Sequence, residues 1–228
     1  LKFTSVDGQP KKSIGEFTYD TLKNKILTLE LRPGQKISEN EIARKLDVSR
    51  APVRDSFVKL AQEKLLDIYP QSGTVVSLIQ LDYVEEGRFV REHIERAIVK
   101  QACEVLSEDH LFQLESNLMM QELCEKKGNH SKLFELDNEF HKLLFYGCGK
   151  IRTWEMMEFM NSHFNRLRQL RVFSTLEWSE IIAQHKHIYE LIKQKLPDQA
   201  DQRMSDHLRL VFFEKDCLVA RFPDYFKL

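Results

Sequence analysis

The sequence predicts a mostly α-helical protein of two domains, and three observations carry that prediction. Apolar residues recur at helical spacing along most of the 228 residues. Pro is absent from residues 80 to 196 and Gly is reduced to Gly87, Gly128, Gly147 and Gly149. Only residues 66–77 alternate in the manner of paired strands.

The elements follow in order from local chemistry. Residues 1–13 are polar, with Gly8 and Pro10, and are expected to form a flexible arm. Tyr19, Leu22, Ile26 and Leu29 form a helical stripe that ends before the turn signal Arg32-Pro33-Gly34. Ser38-Glu39-Asn40-Glu41 has the capping-box pattern, so a second helix starts there, with Ile42, Ala43 and Leu46 as its apolar face. Asp47-Val48 supplies a turn. Ser49 is expected to cap a third helix through its side-chain oxygen, with Pro52 in the first turn, where a missing donor costs little. Val53, Phe57 and Leu60 then face inward, while Arg50 and Arg54, four apart, project together from another face. Leu66–Tyr69 and Thr74–Ser77 are the strands of a hairpin turning at Pro70-Gln71-Ser72-Gly73, with Gly73 at its tip.

Three helices and a two-stranded hairpin in this order make a winged helix-turn-helix over residues 14–78. Such a unit presents the first turns of its second motif helix to base edges and phosphates of double-stranded DNA. The bland alternative is a small helical domain whose arginines are merely solvated. Charge leans toward the first reading. The chain has 34 Lys+Arg and 35 Asp+Glu, yet residues 1–78 alone hold 13 Lys+Arg against 10 Asp+Glu, leaving the remainder acidic.

No apolar run reaches transmembrane length, and the N-terminus lacks a signal-peptide pattern, so a cytoplasmic protein without a membrane partner is expected. Cys103, Cys124, Cys148 and Cys217 show no Cys-x-x-Cys pairing and read as reduced core residues.

Residues 79–228 are expected to form an antiparallel all-α bundle of about six helices, at about 80–104, 108–127, 131–146, 151–174, 178–195 and 198–221. Asp137 and His141 lie one turn apart on the third of these. His185 and His207 flank the turn at Leu196–Pro197 by similar intervals, so in an antiparallel pair they stand at the same height. Three imidazoles and a carboxylate make a first coordination sphere for a divalent transition metal, Zn or Ni foremost, with Mn, Fe or Co open. Each His could instead be a hydrogen-bonded core group, and Asp137 could be solvated or paired with Lys142. With open coordination positions the same set could activate water, which keeps a metal-dependent hydrolase as the competing reading. A purely structural metal, or none, is a third.

The order Arg32-Pro33-Gly34, Ile37-Ser38-Glu39, Leu46-Asp47-Val48-Ser49-Arg50-Ala51-Pro52-Val53-Arg54 and Ser72-Gly73-Thr74 resembles the GntR-type winged helix. Arg91-Glu92-His93-Ile94-Glu95, Leu136-Asp137-Asn138-Glu139-Phe140-His141, Gln184-His185-Lys186-His187-Ile188 and Met204-Ser205-Asp206-His207-Leu208 are similar to the FCD ligand-binding domain of the FadR subfamily. The resemblance implies a homodimeric, ligand-responsive transcriptional regulator, a repressor, on a palindromic operator. It implies DNA contacts at Ser49, Arg50, Pro52, Arg54, Gly73 and Thr74, metal ligands at Asp137, His141, His185 and His207, and Arg91 holding a small carboxylate effector in the same cavity; by spacing alone Arg91 could instead form an intrahelical pair with Glu95. Three departures from the family pattern stand out, the first being Asn40 where some members carry a DNA-contacting Arg. Lys64 replaces the usual Gly after the recognition helix, and Lys195-Leu196-Pro197-Asp198 replaces a Gly-Asp turn, a change expected to be neutral.

Overall fold

The computed structural model describes residues 13–174 and 177–227. The expected arm lies outside the described residues except for Ser13. Ser13 and Glu16 form a reciprocal capping box at the start of helix α1 (Ile14–Leu27). One compact unit ends at Leu78 and the next begins at Ile79.

In the first unit α1 is followed by strand β1 (Lys36–Ile37), helices α2 (Glu39–Leu46) and α3 (Arg50–Gln62), and strands β2 (Leu66–Tyr69) and β3 (Gly73–Val76). The strands form an antiparallel sheet in the order β1-β3-β2. The sheet thus has one strand more than the hairpin expected from sequence. A two-residue strand is too short to show a period, and Lys36–Ile37 is strand only because Val75 and Thr74 pair with it. Leu22 and Ile26 of α1, Ile42 of α2 and Val53, Phe57 and Leu60 of α3 close a core with Leu66 and Val76.

Ser38 caps α2 by accepting from the Glu41 backbone N–H at 3.2 Å, while the Glu41 carboxylate turns to Lys45 at 2.7 Å. The cap expected at Ser49 differs. Ser49 has the extended backbone of an N-cap, but its hydroxyl makes no capping hydrogen bond. Pro52 is the third residue of α3, so the N–H that such a hydroxyl most often accepts does not exist. The two start signals read from the sequence are in conflict with each other.

The second unit runs through α4 (Leu81–Val105), α5 (Glu108–Lys126), α6 (His130–Gly147), α7 (Ile151–Met160), α8 (Ser162–Gln169), a 3-10 turn (Leu170–Phe173), α9 (Ser179–Lys193) and α10 (Pro197–Arg221). Two short parallel strands, β4 (Ile79–Gln80) and β5 (Phe226–Lys227), join its two ends. α4 packs along α10, α8 and α6, and α5 along α6 and α9. The single helix expected over 151–174 is divided at Asn161, giving seven helices rather than six among the described residues. Gly87 of α4 lies against that division. A Cβ there would come within 2.8 Å of the Asn161 side-chain oxygen and 3.2 Å of Phe164 Cβ, so glycine lets α8 press into the bundle. Every residue of α8 is buried, including Arg166 and Arg168.

Lys64 and Lys195 hold left-handed backbone, with φ +61° and +56°. Each follows a helix whose last turn closes by paired backbone bonds, Lys64 to Ala61 and Leu65 to Leu60 after α3, Lys195 to Ile192 and Leu196 to Leu191 after α9. That closure favours glycine at the left-handed position, because a Cβ crowds the carbonyl there. Replacing Lys64 or Lys195 by Gly is therefore expected to stabilise the chain by about 0.5–1 kcal/mol each, and by Val to destabilise it, as read by urea unfolding.

Candidate functional site

Three helices bring three imidazoles to one point in the second unit. His141 comes from α6, His185 from α9 and His207 from α10, and all are buried. His207 Nε2 stands 3.2 Å from both His185 Nε2 and His141 Nε2. The ligand atoms of the three residues form a cluster able to hold a metal ion.

The surrounding hydrogen bonds decide where the imidazole protons sit. The Leu136 carbonyl accepts from the Asn117 amide at 3.0 Å, so Asn117 must turn its oxygen to Gln121, which donates to it at 2.6 Å. Gln121 then presents only its oxygen to His185 Nδ1, at 3.0 Å, and Nδ1 must carry the proton. Glu180 fixes Gln184 in the same way at 2.9 Å, and Gln184 offers its oxygen to His207 Nδ1 at 2.9 Å. The Glu95 carboxylate faces His141 Nδ1. With each proton on Nδ1, three Nε2 lone pairs point at a common centre and repel one another. A cation at that centre reverses the sign of the interaction.

The fit is close. For a metal–nitrogen distance of about 2.1 Å, neighbouring nitrogens are about 3.0 Å apart in an octahedron and about 3.4 Å in a tetrahedron, and 3.2 Å lies between. Burial pushes His185 down to about 4 and holds His141 and His207 well below the ordinary imidazole value, with Arg91 adding to the effect on His141 and the neighbouring His185 on His207. All three rings are thus neutral at pH 7, the form that binds metal.

Asp137 stands at the edge of this set. One carboxylate oxygen is held by Arg168, and the other lies 3.8 Å from His185 Nε2. Burial raises its pKa, but Arg168, helped by His185, His141 and Arg91, more than offsets that and keeps the carboxylate ionised. Lys142 pairs with Glu139 instead, at 3.2 Å.

A cavity opens beside the cluster, lined among others by Asp137, His207, Arg168, Arg171 and Trp178. Arg91, expected on this wall, is absent from it. Its Nε is committed to Glu95, and its Nη2 is buried without a partner. Arg91 therefore acts on His141 through Glu95, and the guanidinium that faces the cavity from beside Asp137 is Arg168. Sequence reasoning missed Arg168, although a signal existed: Arg166, Arg168 and Arg171 follow one another with no acidic residue between Glu158 and Glu177. It missed Gln121, Glu95 and Gln184 because nothing local marks a side chain that serves a histidine on another helix.

In the first unit Arg50 and Arg54 are exposed and, with Glu39 and Ala51, line a surface hollow. Arg50 pairs with Glu39 at 3.0 Å, an exposed contact of about 0–1 kcal/mol that a phosphate can replace. Ser49 is exposed and Pro52 half-buried at the start of the same helix. Gly73 sits exposed with φ +105° and open space around it, suited to close approach by a ligand backbone. Thr74 departs from its expected role. It is only 9% exposed, on the middle strand between Ile37 and Ile68, so its side chain faces the domain rather than solvent.

Residues 14–76 match the family of bacterial regulatory proteins termed gntR, and residues 88–210 match the FCD domain. The chain belongs to the GntR family. It is 30% identical over 200 residues to the HTH-type transcriptional repressor RspR of Escherichia coli K12, covering 88% of each protein. It is 32% identical over 208 residues to an HTH-type transcriptional regulator of Streptomyces ambofaciens, covering 91% of this chain and 87% of that one. The solved structure of E. coli McbR/YncC shares the fold, with a TM-score of 0.79 at 17% identity, over 92% of this chain and 99% of that one. This GntR protein is accordingly a DNA-binding transcriptional regulator and not an enzyme, which removes the hydrolase reading. No helix among the described residues is long and apolar enough to cross a membrane.

Two measurements check the cluster. Adding Zn²⁺ or Ni²⁺ to chelator-treated protein is expected to raise Tm by several degrees, and His207→Gln to abolish the shift. Gln121→Leu keeps all three imidazoles but frees the His185 tautomer, and is expected to weaken metal affinity about 10- to 100-fold in competition titrations.

Proposed function

We propose that this GntR regulator is a homodimeric repressor that senses a small carboxylate through a divalent metal, Zn or Ni foremost, in its FCD domain. The observation that carries the proposal is the convergence of three Nδ1-protonated imidazoles beside a cavity walled by Arg168. Asp137, His141, His185 and His207 would hold the ion, which supplies open coordination positions to an incoming carboxylate. Arg168 then faces the bound carboxylate from the Asp137 side, and Arg91 steadies His141 by way of Glu95. Such a site occurs in a regulator for binding rather than turnover, and the repressor name of the E. coli relative RspR supports the sign of regulation.

The DNA side rests on Arg50 and Arg54. They project from the first turns of α3, the part of a recognition helix that reaches base edges and phosphates. A dimer would place two such helices about 34 Å apart on a palindromic operator, since two-fold protein symmetry asks for two-fold DNA symmetry. Gly73 brings the wing tip to the adjacent backbone. The effector acts only by binding the two conformations of the dimer unequally. A cytoplasmic site of action follows from the DNA target.

Arg50→Ala and Arg54→Ala test the DNA reading by fluorescence anisotropy on a palindromic operator fragment. Each is expected to weaken binding at least tenfold, and a lost phosphate contact to lower the salt slope by about one. Unchanged affinity in both variants would remove the assignment. A thermal-shift screen of small organic acids tests the sensing domain. Stabilisation by acids is expected in metal-loaded protein and not after chelation.

A further inference from the structure

Helix α5 carries a second pattern on the side away from the imidazole cluster. Its inward face, with Leu114, Asn117, Leu118, Gln121 and Cys124 buried, packs along α6 and α9. Its outward face repeats at alternating intervals of three and four residues, through Asp109, Phe112, Ser116, Met119, Leu123 and Lys126, and every one of these is exposed. That is the heptad spacing by which one helix packs along another. Phe112 keeps 69% of its surface in solvent, Met119 66% and Leu123 43%, and Met120 beside them is exposed as well. A single apolar side chain in solvent is ordinary, but a stripe of them along one helix marks a contact surface.

The order of residues along the stripe indicates what covers it, because the stripe is its own complement when reversed. Its positions pair about a midpoint between Asn117 and Leu118: Asp109 with Lys126, Phe112 with Leu123, and Ser116 with Met119. In an antiparallel pair of identical helices those residues meet, since a two-fold interface sets residue i against j and j against i. Each end then joins an acid to a base. Phe112 meets an apolar side chain, and the small Ser116 leaves room for Met119. Just outside the stripe, Glu108 falls opposite Lys127 in the same register.

These end charges are not used within the chain. Glu122, one turn before Lys126, is paired with Lys186. Among the described residues no carboxylate is ion-paired with Lys126 or Lys127, and no cation with Glu108 or Asp109. Helix α7 also exposes Met156, Phe159 and Met160, but its ten residues lack such a register. The exposed Arg152 and Glu155 share one end of it, and Phe159 and Met160 the other, so an antiparallel pair would set charge against apolar surface.

We propose that α5 is the dimer interface of this regulator, docking antiparallel on α5 of a second copy about a two-fold axis beside residues 117 and 118. This rests on the reading of the regulator as a homodimer and adds the surface through which the two copies meet.

Sedimentation velocity of the full chain over a range of concentrations tests the interface. The unsubstituted chain is expected to dimerise. Met119→Glu, which sets a charge in the middle of the stripe, is expected to weaken the dimer on the order of tenfold. The ends give a sharper test. Asp109 and Lys126 are about 25 Å apart on their own helix, so they can pair only between copies. Asp109→Lys and Lys126→Asp are each expected to weaken dimerisation severalfold, and the two together to restore it, because the exchange returns an acid to each base. A dimer untouched by Met119→Glu, or a double variant no better than the single ones, would overturn the α5 interface while leaving a homodimer formed through another face. An unsubstituted chain that stays monomeric at every concentration would overturn both the interface and the homodimer reading beneath it. Restoration by the double variant decides the matter even if a single variant loses some of its fold.

Discussion

The protonation of three buried imidazoles on their outward nitrogens is the constraint on which the interior of the FCD domain depends. A neutral histidine has one donor and one acceptor nitrogen, and its partner chooses which is which. Here a backbone carbonyl at Leu136, acting through Asn117 and Gln121, and carboxylates at Glu180 and Glu95 make that choice from three directions. The consequence is a pocket of three facing lone pairs in a region with little water to relieve them. Such an arrangement is held by packing of α4, α5, α6, α9 and α10 around it.

The positive charge around this cluster is distributed with equal care. Arg91 is locked to Glu95, Arg168 to Asp137 and Arg171 to Glu214. Each guanidinium is thereby buried in a neutral pair, which avoids the several-kcal/mol penalty of an isolated buried ion. Arg168 is pushed down to about 10 by burial and by Arg91, yet remains charged at neutral pH. The pairing leaves selected N–H groups of Arg91 and Arg171 unsatisfied in the interior.

The helix-turn-helix unit is built on the opposite principle. Its apolar residues close one core and its arginines remain in solvent, where a phosphate costs little to bind. At the start of α3 the loss of the usual cap is instructive. Pro52 shapes the first turn and at the same time lacks the N–H that Ser49 would most often use, and Ser49 stays exposed without a capping bond. A helix start left uncapped by its own chain is positioned to receive an anion.

The order of helices, the wing, the exposure of Arg50 and Arg54 and the meeting of His141, His185 and His207 were legible in the sequence. Each depends on spacing along one helix, or on the symmetry of one helical hairpin, and spacing is a local property of the chain. Strand Lys36–Ile37, the division at Asn161, the inward turn of Thr74 and the place of Arg168 on the cavity wall were not, although the pairing of Arg91 with Glu95 was open to spacing along α4. Each is decided by what another element presses against that residue: β3 on the strand, Gly87 on the division, Ile37 and Ile68 on Thr74, Asp137 on Arg168. By itself, then, the sequence determined which side chains could share a face. Tertiary packing alone decided which nitrogen of each histidine carries the proton and which arginine lines the cavity, because both are set by partners distant along the chain.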